Sequence, residues 1–241
     1  MREMRTISLW KFHLNTIPIT IDITLLISIV AIISITYNLF PNAHWLSFIS
    51  TALLYIFLIA HEIAHVLVGE KIGIEVKEIR LSLTGATAYF KKEADTGQAC
   101  LAASGPLLSI ILMIIFAIFT MIFMAIYKTS EIENNSLISI LAFSTAINAM
   151  IAIMNLLPIY PLDGGRLLQI AIQKITKNKL KSLAITCGIT ISICVITIFW
   201  TEWDFFKHHE SNGIIRIVVA IMLGGQALGA YRAEARKGGN S

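Results

Sequence analysis

The sequence predicts an all-α polytopic membrane protein of about six transmembrane helices, with a small cytoplasmic-side β-sheet. Three observations carry this: an apolar composition, six apolar stretches of spanning length, and basic residues gathered on alternate loops. Of 241 residues, 56% are hydrophobic and 14% charged, with a mean hydropathy of +0.75. Soluble domains are about 45–50% apolar and about 25% charged, so a single core cannot hide this much apolar surface, whereas a bilayer can. The formal net charge of +4 is small and gives no reason to expect a nucleic-acid partner. The lipid bilayer is the expected surrounding.

The N-terminal residues 1–11 are basic and lead into the first apolar stretch. No small-residue cleavage site follows, so an uncleaved span is expected rather than a signal peptide. Spans of about 20 apolar residues fit at 19–40, 46–68, 99–127, 137–157, 183–200 and 214–231. With no internal repeat and no appended soluble domain, residues 1–241 are expected to form one domain. Its core helices fall within 46–160, and 19–40, 183–200 and 214–231 are peripheral. Cys100, Cys187 and Cys194 form no CxxC pair and read as small hydrophobes.

Under this six-span layout, sixteen of the nineteen Lys and Arg fall on one side. They include Arg2, Arg5 and Lys11, five residues between spans two and three, five between spans four and five, and three in the tail. The positive-inside rule then puts both termini in the cytoplasm, in a multi-pass protein assigned to the plasma membrane of a prokaryote. Within residues 72–92, Val76, Ile79, Leu81 and Leu83 alternate with polar residues, and Gly85 precedes a second β-prone run. Two strands on the cytoplasmic face are expected there. Residues 201–213 read as an external loop with Trp203, Phe205 and Phe206 at the interface.

The chemistry centres on His61-Glu62-Ile63-Ala64-His65 in the second span. Helical residues four apart share a face, about 6 Å apart along the axis, so both imidazoles can reach one ion. Glu62 follows the first histidine, where it can take a proton from a water activated by that ion. An ionisable group at the centre of a spanning helix costs about 2.5–3.5 kcal/mol, so three in one helix call for a metal or a polar cavity. Catalytic zinc takes three protein ligands, and the apolar sequence offers Asp22 and Asp163 as the third. Asp163 is favoured by topology, since spans two and four run in the same direction and both motifs lie towards their cytoplasmic ends. Asp22 reads as a solvated helix-start residue. Around Asp163, Asn155 supplies an amide, Pro158 and Pro161 interrupt the helix, and Gly164-Gly165 permits unusual backbone angles.

These residues resemble the site-2 protease family of intramembrane zinc metalloproteases. His61 to His65 match its HExxH, and Asn155 to Gly164 match its Asn-x-x-Pro followed by Leu-Asp-Gly, about ninety residues downstream. The resemblance implies His61, His65 and Asp163 as zinc ligands, Glu62 as acid–base, and Asn155 and Pro158 as substrate-binding residues. Ser104-Gly105-Pro106 is similar to a small-residue turn in relatives. Relatives often carry a PDZ or CBS domain, for which this chain has no room, so a minimal member is expected. The implied reaction is hydrolysis of a peptide bond in or near a transmembrane segment of a single-span membrane protein. The strands within residues 79–90 are expected to receive the unwound substrate by β-addition. A different HExxH protease would need a downstream Glu ligand, and a transporter would need polar positions spread along a path; neither pattern is found.

Overall fold

The computed structural model describes residues 8–14, 17–39, 44–82, 85–90, 97–127, 136–208 and 213–238. Two strands, β1 (Ser8–Leu14) and β2 (Ile17–Asp22), come first, followed by helices α1 (Thr24–Leu39) and α2 (Trp45–Lys71). Strands β3 (Val76–Ser82) and β4 (Gly85–Phe90) lead to α3 (Gln98–Ile126) and α4 (Ser136–Leu156). Helices α5 (Asp163–Thr176), α6 (Lys179–His208) and α7 (Gly213–Gly238) complete the order.

The expected first span is corrected at its start: residues 19–22 are strand, and the helix begins at Thr24. The cause lies in Ile19, Thr20 and Ile21, whose β-branched side chains favour a pleated surface, after Pro18, whose ring fixes φ near the extended range. Strand β2 pairs antiparallel with β1 and parallel with β3, through Ile19↔Ile79, Thr20↔Arg80 and Ile21↔Leu81. Among the described residues the sheet therefore has four strands in the order β1-β2-β3-β4, twice the number expected. Asp22 is also corrected. It is only 2% exposed, and its Oδ1 accepts the Thr24 backbone N–H at 2.9 Å, capping the start of α1.

Among the described residues, four helices are long and apolar enough to cross a membrane: Trp45–Lys71, Gln98–Ile126, Ser136–Leu156 and Lys179–Trp200. A shorter apolar stretch, Thr24–Ser34, lies in α1. Residues 201–208 continue α6 rather than forming the expected loop, and the side chains of Trp203, Phe205 and Phe206 lie outside the described set.

The chain divides into two compact units, Met1–Ile153 and Met154–Ser241. In the first, α1 and α2 pack on one face of the sheet around Ile19, Leu25, Val66, Ile79, Leu81 and Ala88. A second apolar cluster joins Phe57 of α2 with Ile147 and Ile151 of α4, flanked by Leu112 and Phe116 of α3. The other face of the sheet is polar. Thr20 donates to Glu78 Oε2 at 2.8 Å, and Arg80 pairs with Glu78 while its guanidinium lies 5.2 Å from the Tyr89 ring centroid. Partial burial pushes the Glu78 carboxyl up, but the Thr20 and Arg80 hydrogen bonds and the arginine charge outweigh it and hold it below its ordinary value.

In the second unit, Leu183 and Cys187 of α6 pack on Ala227 of α7, with the Cys187 thiol donating to the Ala227 carbonyl at 3.2 Å. Lys179 and Glu234 pair at 3.2 Å. Cys187 and Cys194 are buried as expected of small hydrophobes, whereas Cys100 is exposed.

Candidate metal centre

Helix α2 is amphipathic in an unusual sense, with one row of small and polar residues in an apolar sequence. Ser47, Ser50, Thr51, His61, Ala64 and His65 are buried at helical spacings that gather them on one side. His61 is 3% and His65 6% exposed. Their rings lie 5.0 Å apart between centroids at an interplanar angle of 78°.

Helix α3 fixes both rings through their Nδ1 atoms. His65 Nδ1 donates to the Leu101 carbonyl at 2.7 Å, and Ser104 Oγ, itself a donor to that carbonyl at 2.8 Å, lies 3.1 Å from the same nitrogen. A carbonyl can only accept, so the proton sits on His65 Nδ1 and Nε2 carries the lone pair a metal needs. His61 Nδ1 lies 3.0 Å from Ser109 Oγ, which is buried. With Nδ1 engaged in both residues, Nε2 is in each the ring nitrogen through which an ion would be bound.

Gly105 provides the room. A Cβ at this position would lie 2.3 Å from His65 Nε2 and 2.5 Å from His61 Nε2, so the two nitrogens converge on the space beside this glycine. Ser104-Gly105-Pro106 is not a turn here but part of the continuous helix α3. Its contribution is the missing side chain. Sequence reasoning noticed the step without its purpose, and it did not find Leu101 or Ser109 at all; their spacing from Gly105 by one helical turn is the signal that marks them.

Glu62 leaves α2 on a different side, one turn before the fully buried Val66 that packs against the sheet. Its Oε2 accepts the Ala88 backbone N–H at 2.7 Å. The carboxylate is thus next in sequence to His61 and is held by β4.

In the second unit, α4 ends at Leu156, and residues 157–162 form an irregular connection to α5. Pro158 is exposed and Asn155 partly buried. Leu162 N donates to Ile159 O at 2.9 Å, Tyr160 N donates to Thr190 Oγ1 at 2.8 Å, and the Tyr160–Pro161 peptide is cis. Asp163 opens α5 and is 7% exposed. Gly164 and Gly165 are helical and are not among the glycines with positive φ, so the expectation of unusual angles is corrected. They are needed for close approach. A Cβ on Gly164 would lie 2.2 Å from the Leu156 carbonyl oxygen, and one on Gly165 would lie 2.4 Å from the Ile159 carbonyl carbon. His61 and His65 in the first unit and Asp163 in the second are each buried, and imidazole nitrogens and a carboxylate oxygen are donor types that suit zinc.

Comparison with known proteins agrees with this chemistry. The profile of Peptidase family M50 matches residues 121–199. A zinc metalloprotease of Methanocaldococcus jannaschii is 28% identical over 80% of this chain and 53% of its own length. A Synechocystis protein named as a proposed zinc metalloprotease is 36% identical over 58% of this chain and 35% of its own. The chain thus spans about half or less of these relatives. The solved structure of a site-2 protease from Methanocaldococcus jannaschii superposes with a TM-score of 0.65 at 28% identity, covering 92% of this chain and 93% of that one. Both sequence motifs, the paired buried histidines and this shared fold thus make the chain similar to members of peptidase family M50 and to a site-2 protease in particular.

Proposed function

We propose that this protein is an intramembrane zinc metalloprotease that hydrolyses a peptide bond in or near the transmembrane segment of a single-span membrane protein. The observation that carries the reading is the pair of buried histidines on a membrane-length helix, with Nδ1 atoms engaged and Nε2 atoms converging beside Gly105. In this reading His61, His65 and Asp163 hold zinc within one proteolytic domain of six spans with both termini cytoplasmic. When bound, zinc polarises the scissile carbonyl and acidifies a water. Glu62 takes the proton from that water as general base and returns it to the departing amine as general acid. The Asn155 amide holds the substrate backbone, and Pro158 keeps the connection after α4 open beside it.

A helix hides its amides in internal hydrogen bonds, so the substrate has to unwind and its freed groups need partners. Strand β3 is covered by β2 and β4, whereas β4 ends the described order and presents an outer edge. That edge is the docking strand of this reading. Its outward amides alternate, so Ala86→Pro removes one without breaking the ladder to β3. Ala86→Pro should lower cleavage several-fold while zinc content stays at the wild-type level; equal losses of both would defeat the docking role.

The reading as a whole is tested with purified protein in lipid. Zinc-loaded protein should cleave members of a panel of single-span proteins, chelation should stop cleavage, and added zinc should restore it. Cleavage indifferent to chelation would overturn the zinc assignment.

A further inference from the structure

Glu62 is fixed by something other than the metal site. It shares the sheet-facing side of α2 with Val66, whose neighbours in the core include Ile79 of β3 and Ala88 of β4. Ala88 is paired with Ile79, yet its N–H donates at 2.7 Å to Glu62 Oε2. The amide therefore points away from β3, off the outer edge of the sheet.

We propose that the Ala88 backbone amide is a positioning group for the Glu62 carboxylate, holding Oε2 so that the other oxygen carries out proton transfer. The inference deepens the proteolytic reading above and rests on it. A glutamate side chain has three rotatable bonds, and a base acts only within about 2.6–3.2 Å of the proton it takes. A misplacement of about 1 Å at such a group costs about a hundredfold in rate. A hydrogen bond to an ionised oxygen is among the stronger ones, and an amide built into a sheet is already oriented before the carboxylate arrives. The backbone N–H, not the small buried side chain, makes the bond at position 88, and proline would remove it. The arrangement also sets where a docked substrate strand ends. It can use the outward groups of Ala86, and its ladder stops where Glu62 holds the Ala88 amide, which leaves the next peptide bond beside the carboxylate.

The bond itself is tested in zinc-free protein by amide hydrogen exchange. Protection of the Ala88 N–H should fall about tenfold to a hundredfold in Glu62→Ala. Its role is tested by replacing the Ala88 amide with an ester, using lactate in place of alanine, so that only the N–H is lost; Ala88→Pro is a second route. Against the single-span protein that the wild type cleaves fastest, kcat should fall about thirtyfold to a hundredfold. KM and zinc content should stay unchanged, a split that a merely structural role would not produce. Exchange at Ala88 that ignores Glu62→Ala, an unchanged or increased kcat in the ester variant, or a loss confined to KM would each overturn the proposal. Failure of the wild type to cleave any single-span protein would instead sink the proteolytic reading, and the exchange measurement distinguishes the two because it needs no turnover.

Discussion

Glu62→Gln is expected to abolish cleavage while leaving zinc binding intact. Glutamine has the size and shape of glutamate but cannot take up a proton at neutral pH. Its carbonyl oxygen can still accept the Ala88 N–H that reaches the carboxylate at 2.7 Å, so the side chain should stay in place. The histidines are positioned by Leu101, Ser104 and Ser109 of α3, whereas Glu62 is held by β4. The substitution therefore separates proton transfer from metal binding. General acid–base catalysis contributes about 10²- to 10⁴-fold, so the cleavage rate should fall at least about a hundredfold. Zinc stoichiometry by elemental analysis should equal that of wild type. Cleavage that survives Glu62→Gln would defeat the assignment of the base, and zinc lost together with activity would show that the residue supports the metal instead.

What the sequence revealed and what it hid follow from the range of the interactions involved. The two histidines were legible because four residues along a helix is one turn, and chemistry that depends on a local period is written locally. The break before Asp163 was legible, since prolines and glycines at the end of an apolar run mark one whatever the partner. The reason for Gly164 and Gly165 was misread: freedom of φ is a property of the residue alone, whereas the observed cause is the approach of Leu156 and Ile159 backbone, which only the folded chain supplies. The sheet was half legible. Strands β3 and β4 alternate visibly, but β2 is an unbroken apolar stretch running into α1, and hydropathy cannot tell a buried strand from the start of a span. The Ala88 amide left no trace at all, because every residue but proline carries one.

The second large effect is expected from the smallest change. Gly105→Ala adds one methyl group to a helix interior, where alanine is favoured over glycine by about 1 kcal/mol. Helix propensity alone therefore predicts a slightly more stable protein. The new Cβ, however, would lie 2.3 Å from His65 Nε2 and 2.5 Å from His61 Nε2, inside van der Waals contact with both nitrogens. One imidazole has to turn away, giving up its Nδ1 bond to Leu101 or Ser109. Each such bond is worth about 1 kcal/mol, and the rotation costs about as much again at most, so the zinc-free protein should change by no more than about 2 kcal/mol in either direction. Zinc affinity should respond far more strongly. Disturbing a partner of a ligand costs about 10- to 100-fold, and turning a ligand away should cost at least the upper figure. Measured as melting temperature with and without zinc, wild type should be stabilised by the metal and Gly105→Ala should not, although their zinc-free transitions lie close together. Wild-type zinc affinity in Gly105→Ala would mean that the nitrogens do not meet beside this glycine, and the site would have to be built elsewhere on α2.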